Sequence, residues 1–294
     1  MSPFRIWLMA GRPRTLPAAI APVLVGTAAA EFSGGDLRVA AFVAAMVGAV
    51  FIQIGTNLAN DYSDAKRGAD TAERLGPVRV TSAGLVAPRR VLVATWVAFG
   101  VAVAAGIYLA TVAGPLILAI GAISIAAGVL YTGGPRPYGY AGMGELFVFL
   151  FFGLVAVNGS YYVQLERLDW LPFILSVPVG FLSTAILVVN NVRDLDTDAR
   201  AGKRTLAVVL GRERARRLYL ALVALSFALL PLAIASDGGT ALVLLGLLAL
   251  PLALGPARAV MSRTDGPALN GALAGTGLLL AAFSVLVSCG LVLG

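Results

Sequence analysis

Apolar residues run along the chain in unbroken stretches rather than in alternation. The stretches repeatedly approach the ~20 residues that cross ~30 Å of hydrocarbon as a helix. They fall near residues 16–32, 39–58, 90–111, 114–132, 143–163, 170–190, 218–236, 240–256 and 270–292. Lipid offers the backbone no hydrogen-bonding partner, so a spanning segment is either a helix or a strand of a closed barrel. Barrel strands alternate in polarity, and these runs do not. The pattern therefore predicts an all-α, multi-pass membrane protein with about nine transmembrane helices. The connections are short, without low-complexity tracts, and predict a single membrane domain over residues 1–294.

Composition narrows the chemistry. The 294 residues are 59% hydrophobic and 13% charged, with one cysteine and no histidine. That excludes intramolecular disulfides, His-centred triads and the familiar zinc sites, and leaves oxygen as the only ligand type for a metal. Arg5, Arg12 and Arg14 precede the first run, which carries no convincing cleavage site and is expected to stay as the first helix. A net charge of +7 raises nucleic acid as a partner, but the basic residues sit in short loops between spans, not on one contiguous face. With a cytoplasmic N-terminus, every Lys and Arg among the 22 except Arg38 and Arg167 falls on the cytoplasmic side. Such asymmetry predicts orientation in a cell membrane, and Arg89, Arg90, Arg212, Arg214, Arg216 and Arg217 are explained by it.

Two long cytoplasmic loops follow the second and sixth spans, and each opens on an Asn/Asp cluster. In the first, Asn57, Asp61 and Asp64 fall at i, i+4 and i+7 of a continuing helix. In the second, Asn191, Asp194 and Asp198 fall at i, i+3 and i+7. Four spans separate the loops, which places both on one side of the bilayer. Carboxylates this close at a membrane helix end repel one another and lose hydration unless a cation neutralises them. Mg²⁺ suits them, being held by one or two carboxylates together with substrate phosphate oxygens, so the facing pairs predict a clamp for a diphosphate. Lys66, Arg67 and Arg79, then Lys203 and Arg204, with Arg136 between, are the candidate phosphate-binding cations. Asp196 lies off its stripe and takes no ligand role. Asp70 either completes the first site or acts as a base.

The loop from Tyr131 to Tyr140 is rich in Gly, Pro and Tyr. Tyr131, Tyr138 and Tyr140 either face a substrate, offering π-faces to a developing cation, or anchor the membrane interface. Glu145 at the start of span five is either a buried acid or a helix-start carboxylate.

The stretches Arg12-Pro13-Arg14-Thr15-Leu16-Pro17, NLANDYSDAKRGAD (57–70), GPVRVTSAG (76–84), YTGGPRPYGYAGMGE (131–145) and NNVRDLDTDARAGKRTLAVVLG (190–211) resemble the UbiA superfamily of intramembrane prenyltransferases. Within it they are most similar to the branch that prenylates 1,4-dihydroxy-2-naphthoate in menaquinone biosynthesis. The resemblance implies a UbiA-like bundle and transfer of a polyprenyl group from polyprenyl diphosphate to the naphthoate ring, with loss of CO₂. It implies Asp61, Asp64, Asp194 and Asp198 as Mg²⁺ ligands, with Asn60 and Asn191 orienting them and Asn57 and Asn190 beside the substrate. The superfamily's first motif usually ends in Asp where this chain has Gly68, two residues before Asp70. Other readings are a different acceptor, such as 4-hydroxybenzoate, homogentisate or a tetrapyrrole, and a cation-coupled transporter. A transporter accounts for the helices but not for the paired stripes.

Overall fold

The computed structural model describes residues 1–69, 75–236 and 239–294; Asp70 lies outside the described residues. Every apolar run is helical, and no strand occurs among the described residues. We number the helices α1 (Pro3–Gly11), α2 (Pro17–Phe32), α3 (Val39–Lys66), α4 (Pro88–Ala113) and α5 (Leu116–Leu130). They continue as α6 (Gly144–Leu165), α7 (Trp170–Arg200), α8 (Arg212–Ala233), α9 (Ala241–Ser262) and α10 (Gly266–Leu293). Among the described residues seven of these are long and apolar enough to cross a membrane, and an eighth span arises if α1 and α2 are taken together across their 52° bend. The helix α5, with 15 residues, is shorter than those seven.

Local chemistry starts and ends these helices. Proline opens α1, α2 and α4, where its missing N–H costs nothing. Asp265 caps α10 by accepting from the Ala268 amide at 2.9 Å. At the bend between α1 and α2, Arg12 adopts a left-handed backbone with φ 52°.

The central helix is α7. Its apolar window is 72% buried, against 22% for α3 and 28% for α4. It packs on α8, α10 and α6, and Leu175, Val179, Leu182, Ala185 and Val189 form the middle of the main core. The outward side chains of α4 and α5, including Trp96, Val97, Ile107 and Ile123, are exposed and apolar, as a lipid-facing surface requires.

Small residues set how closely helices approach. A Cβ at Gly26 would stand 2.2 Å from the Val157 carbonyl oxygen, so α2 lies directly against the backbone of α6. Gly153 meets Gly180 of α7 in the same way, with a Cβ position 2.7 Å from the Gly180 Cα. That contact lies in a π-helical stretch of α6, Phe149–Val155, a distortion often found beside functional sites. Gly26→Val should therefore destabilise the bundle by about 1–3 kcal/mol through overpacking, whereas Gly100→Ala, with nothing within 4 Å, should not. Thermal unfolding of the two variants in detergent separates them.

Candidate active site

The C-terminal parts of α3 and α7 contribute acids to one cavity of about 350 Å³, Asp64 from α3 and Asp194 and Asp198 from α7. Its polar end carries Asp64, Asp194, Asp198, Arg79, Lys203 and Tyr140, and its long apolar part carries Ala45, Gly48, Ile52, Gly106, Leu109 and Ile120. The cavity thus joins a charged head to an oily passage between helices.

Asp64, only 2% exposed, is engaged from several sides. It accepts from the Tyr140 hydroxyl at 2.6 Å and from Arg79 at 3.2 Å. Lys203 Nζ lies 3.7 Å from Asp64 and 3.8 Å from Asp198, so one ammonium bridges the two stripes. The same ammonium stands 4.8 Å from the centre of the Tyr140 ring. Tyr140 is held in turn by its own carbonyl, which accepts from the Arg204 amide at 3.0 Å.

The other two stripe acids are committed differently. Both oxygens of Asp61 accept backbone amides, from Val80 at 3.1 Å and Thr81 at 2.9 Å, and Asp61 does not line the cavity. It anchors the loop that carries Arg79. Asp194 lines the cavity, yet its carboxylate is held by the neighbouring Arg193 through bonds of 2.8 and 2.6 Å. Arg193, 1% exposed, also donates to Asn190 at 2.8 Å and to Asn270 of α10 at 2.7 Å. A guanidinium at this depth persists because four of its hydrogen bonds are made.

Of the remaining residues singled out in the sequence, Asn57, Asn60, Asn190, Asn191, Tyr131 and Tyr138 all line the cavity. Asn57 donates to the Gly11 carbonyl and to Thr15, each at 3.1 Å, and Asn60 accepts from Thr132 at 2.9 Å. The Tyr138 hydroxyl donates to the Ala127 carbonyl at 2.9 Å, and burial pushes its pKa well above the ordinary tyrosine value, so it stays a neutral donor. The structure places Lys66, Arg67, Arg136 and Arg204 at the exposed surface, outside the cavity lining. They follow helix ends or sit in a loop, so their long side chains reach water; Arg67 is taken by the Gly134 carbonyl. Sequence reasoning missed Arg12, Thr15, Gln53 and Thr132 as lining residues. The signal for Gln53 was present, a polar side chain inside an apolar run.

The donors facing the cavity are oxygens, as Mg²⁺ prefers. Among the described residues no group of three or more carboxylates closes round one point. Asp64 and Asp198 nevertheless converge on a single cation. Two carboxylates are the number such an ion uses when substrate phosphate supplies the rest, so the residues fit.

This combination of an all-helical membrane bundle and an acid-rimmed, oil-lined cavity is matched by known proteins. The chain belongs to the UbiA prenyltransferase family, whose model matches residues 19–283, and is thus an enzyme of the prenyl-transferring class. Along its whole length it is 46% identical to a Mycobacterium tuberculosis protein named 1,4-dihydroxy-2-naphthoate octaprenyltransferase, covering 99% of that protein. Its fold is similar to that of a UbiA homolog from Aeropyrum pernix K1, with TM-score 0.66 and 15% identity over 94% of this chain and 97% of that one. A UbiA homolog from Archaeoglobus fulgidus bound to DMAPP and Mg²⁺ superposes with TM-score 0.57 and 14% identity over 96% of this chain and 99% of that one.

Asp61→Asn keeps one acceptor oxygen and replaces the other with a donor. Each lost bond to the charged group is worth about 1.5–3 kcal/mol. Hydrogen exchange of the Val80 and Thr81 amides should accelerate about tenfold or more, while the amides of α7 stay protected.

Proposed function

We propose that the protein transfers a polyprenyl group from polyprenyl diphosphate to 1,4-dihydroxy-2-naphthoate, with Mg²⁺, and so serves menaquinone biosynthesis. The observation that carries this reading is the Lys203 bridge between Asp64 and Asp198 at the mouth of an apolar passage. A diphosphate needs the first and a prenyl chain the second. The name of the mycobacterial relative supports the acceptor, and the ligands of the Archaeoglobus homolog support the donor and metal.

In this reading Asp64 and Asp198 hold the metal, which when bound supplies positive charge to the diphosphate oxygens. Lys203 and Arg79 then move from carboxylate to phosphate and take up negative charge as the allylic C–O bond breaks. The electron pair leaves with diphosphate. The ring carbon bearing the carboxylate attacks the allylic cation, and loss of CO₂ returns the electron pair to the ring. The Tyr131 and Tyr140 rings line the cavity where that cation forms. Neither step needs a protein nucleophile, which accords with a chain lacking His and with its one cysteine, Cys289, exposed on α10. The apolar passage keeps water from the cation. We place the site on the cytoplasmic side of the plasma membrane, with nine spans and a cytoplasmic N-terminus, on the distribution of Lys and Arg.

Asp198→Asn should lower turnover by about 100-fold or more, measured as Mg²⁺-dependent release of diphosphate and formation of prenylated naphthalene in vesicles. Asp64→Asn should lose activity similarly and also stability, because it leaves Arg79 and Lys203 buried without their shared anion. Near-normal turnover in Asp198→Asn removes the clamp. Offering 4-hydroxybenzoate and homogentisate beside 1,4-dihydroxy-2-naphthoate tests the acceptor, and preferred prenylation of either one overturns that part.

A further inference from the structure

Glu145 is a buried acid with no part in the clamp. It opens α6, is 6% exposed, and uses one oxygen: Oε1 accepts from the Asn191 side-chain amide at 2.8 Å. Its other oxygen, Oε2, is buried with no hydrogen-bond partner. A half-satisfied carboxyl group in a membrane bundle costs stability that a hydrocarbon side chain of similar size would not. The helix start alone does not explain it either, since the dipole favours any anion in the first turn and does not call for the Asn191 pairing.

What the pairing does is fix Asn191. An amide side chain can present either its NH₂ or its oxygen in a given direction. Because Oε1 accepts from Nδ2, this pairing leaves the Asn191 oxygen untaken, on a residue that lines the cavity. A glutamine at 145 could offer oxygen or NH₂ and would leave that choice open. The hydrogen bond also polarises the amide and strengthens its oxygen as an acceptor. Along α7, Asn191 lies seven residues before Asp198, about 10 Å towards the apolar part. Its neighbourhood is flat-walled: a Cβ at Gly144 would lie 3.2 Å from both Leu187 and the Tyr131 ring, and one at Gly139 would lie 2.6 Å from that ring. The Tyr131 ring is therefore wedged against Gly139 and Gly144, the latter next to Glu145.

We infer that Glu145 is a positioning residue that turns the Asn191 oxygen towards the cavity, where it accepts a hydrogen bond from a ring hydroxyl of the aromatic acceptor. The inference rests on the prenyl transfer proposed above and adds the feature that recognises the acceptor, separate from the clamp that recognises the donor. It is tested with wild type, Glu145→Gln, Asn191→Ala and the double variant, each purified, checked by thermal unfolding, and assayed with Mg²⁺, a prenyl diphosphate and 1,4-dihydroxy-2-naphthoate. In Glu145→Gln the acceptor KM should rise about 3- to 10-fold, the worth of one hydrogen bond. The donor KM and the Mg²⁺-induced shift in unfolding temperature should be unchanged. Asn191→Ala should do at least as much, and adding Glu145→Gln to it should change nothing further, as for a residue acting through another. An unchanged acceptor KM, an equal rise in donor KM, or effects that multiply in the double variant overturn the inference. Absence of prenyl transfer by the wild type overturns the proposed function itself and the inference with it.

Discussion

Two carboxylates brought face to face at a membrane helix end cannot stay there uncompensated. The Asp64–Lys203–Asp198 bridge answers that constraint, and much of the molecule is arranged around it. The cation must come from outside both stripes, so the chain turns back after α7 to deliver Lys203. Arg79 arrives from the other long loop, and that loop is pinned by Asp61. The acid next along α7, Asp194, is neutralised by Arg193 from its own helix and tied through Asn270 to α10. The charged end of the cavity is thus a linked set of acids and bases, surrounded by helices with exposed apolar side chains.

Helix packing explains why there is room for anything else. Where α2 meets α6 and α6 meets α7, glycine lets backbones touch; elsewhere small residues such as Ala45, Gly48 and Gly106 line the cavity. Close approach on one side of the bundle and missing side chains on the other give a passage enclosed by rigid elements. The volume needed by an oily substrate comes from what the sequence leaves out.

The helices were legible because lipid imposes one solution on long apolar runs. The convergence of Asp64 and Asp198 was legible because helical spacing is periodic and an even number of runs separates the two loops. The division of labour among the acids was not. Nothing in the spacing of Asp61 distinguishes it from Asp64; its partners are backbone amides 19 and 20 positions away, in a loop without regular pattern. Arg193 reads as one more orientation charge until it is seen buried among Asn190, Asp194 and Asn270. Lys66 and Arg67 follow their stripe more closely than Arg79 does, yet a turn at the end of α3 sends them outward. Proximity along the chain was a poor guide to proximity in space wherever a loop intervened.

The bend between α1 and α2 carries one more consequence. Arg12 holds a left-handed backbone conformation that costs a side-chain-bearing residue about 1–2 kcal/mol and glycine almost nothing. The residue that bears this cost is also one that lines the cavity. The bend between the first two helices and the wall of the cavity are thus the same residue.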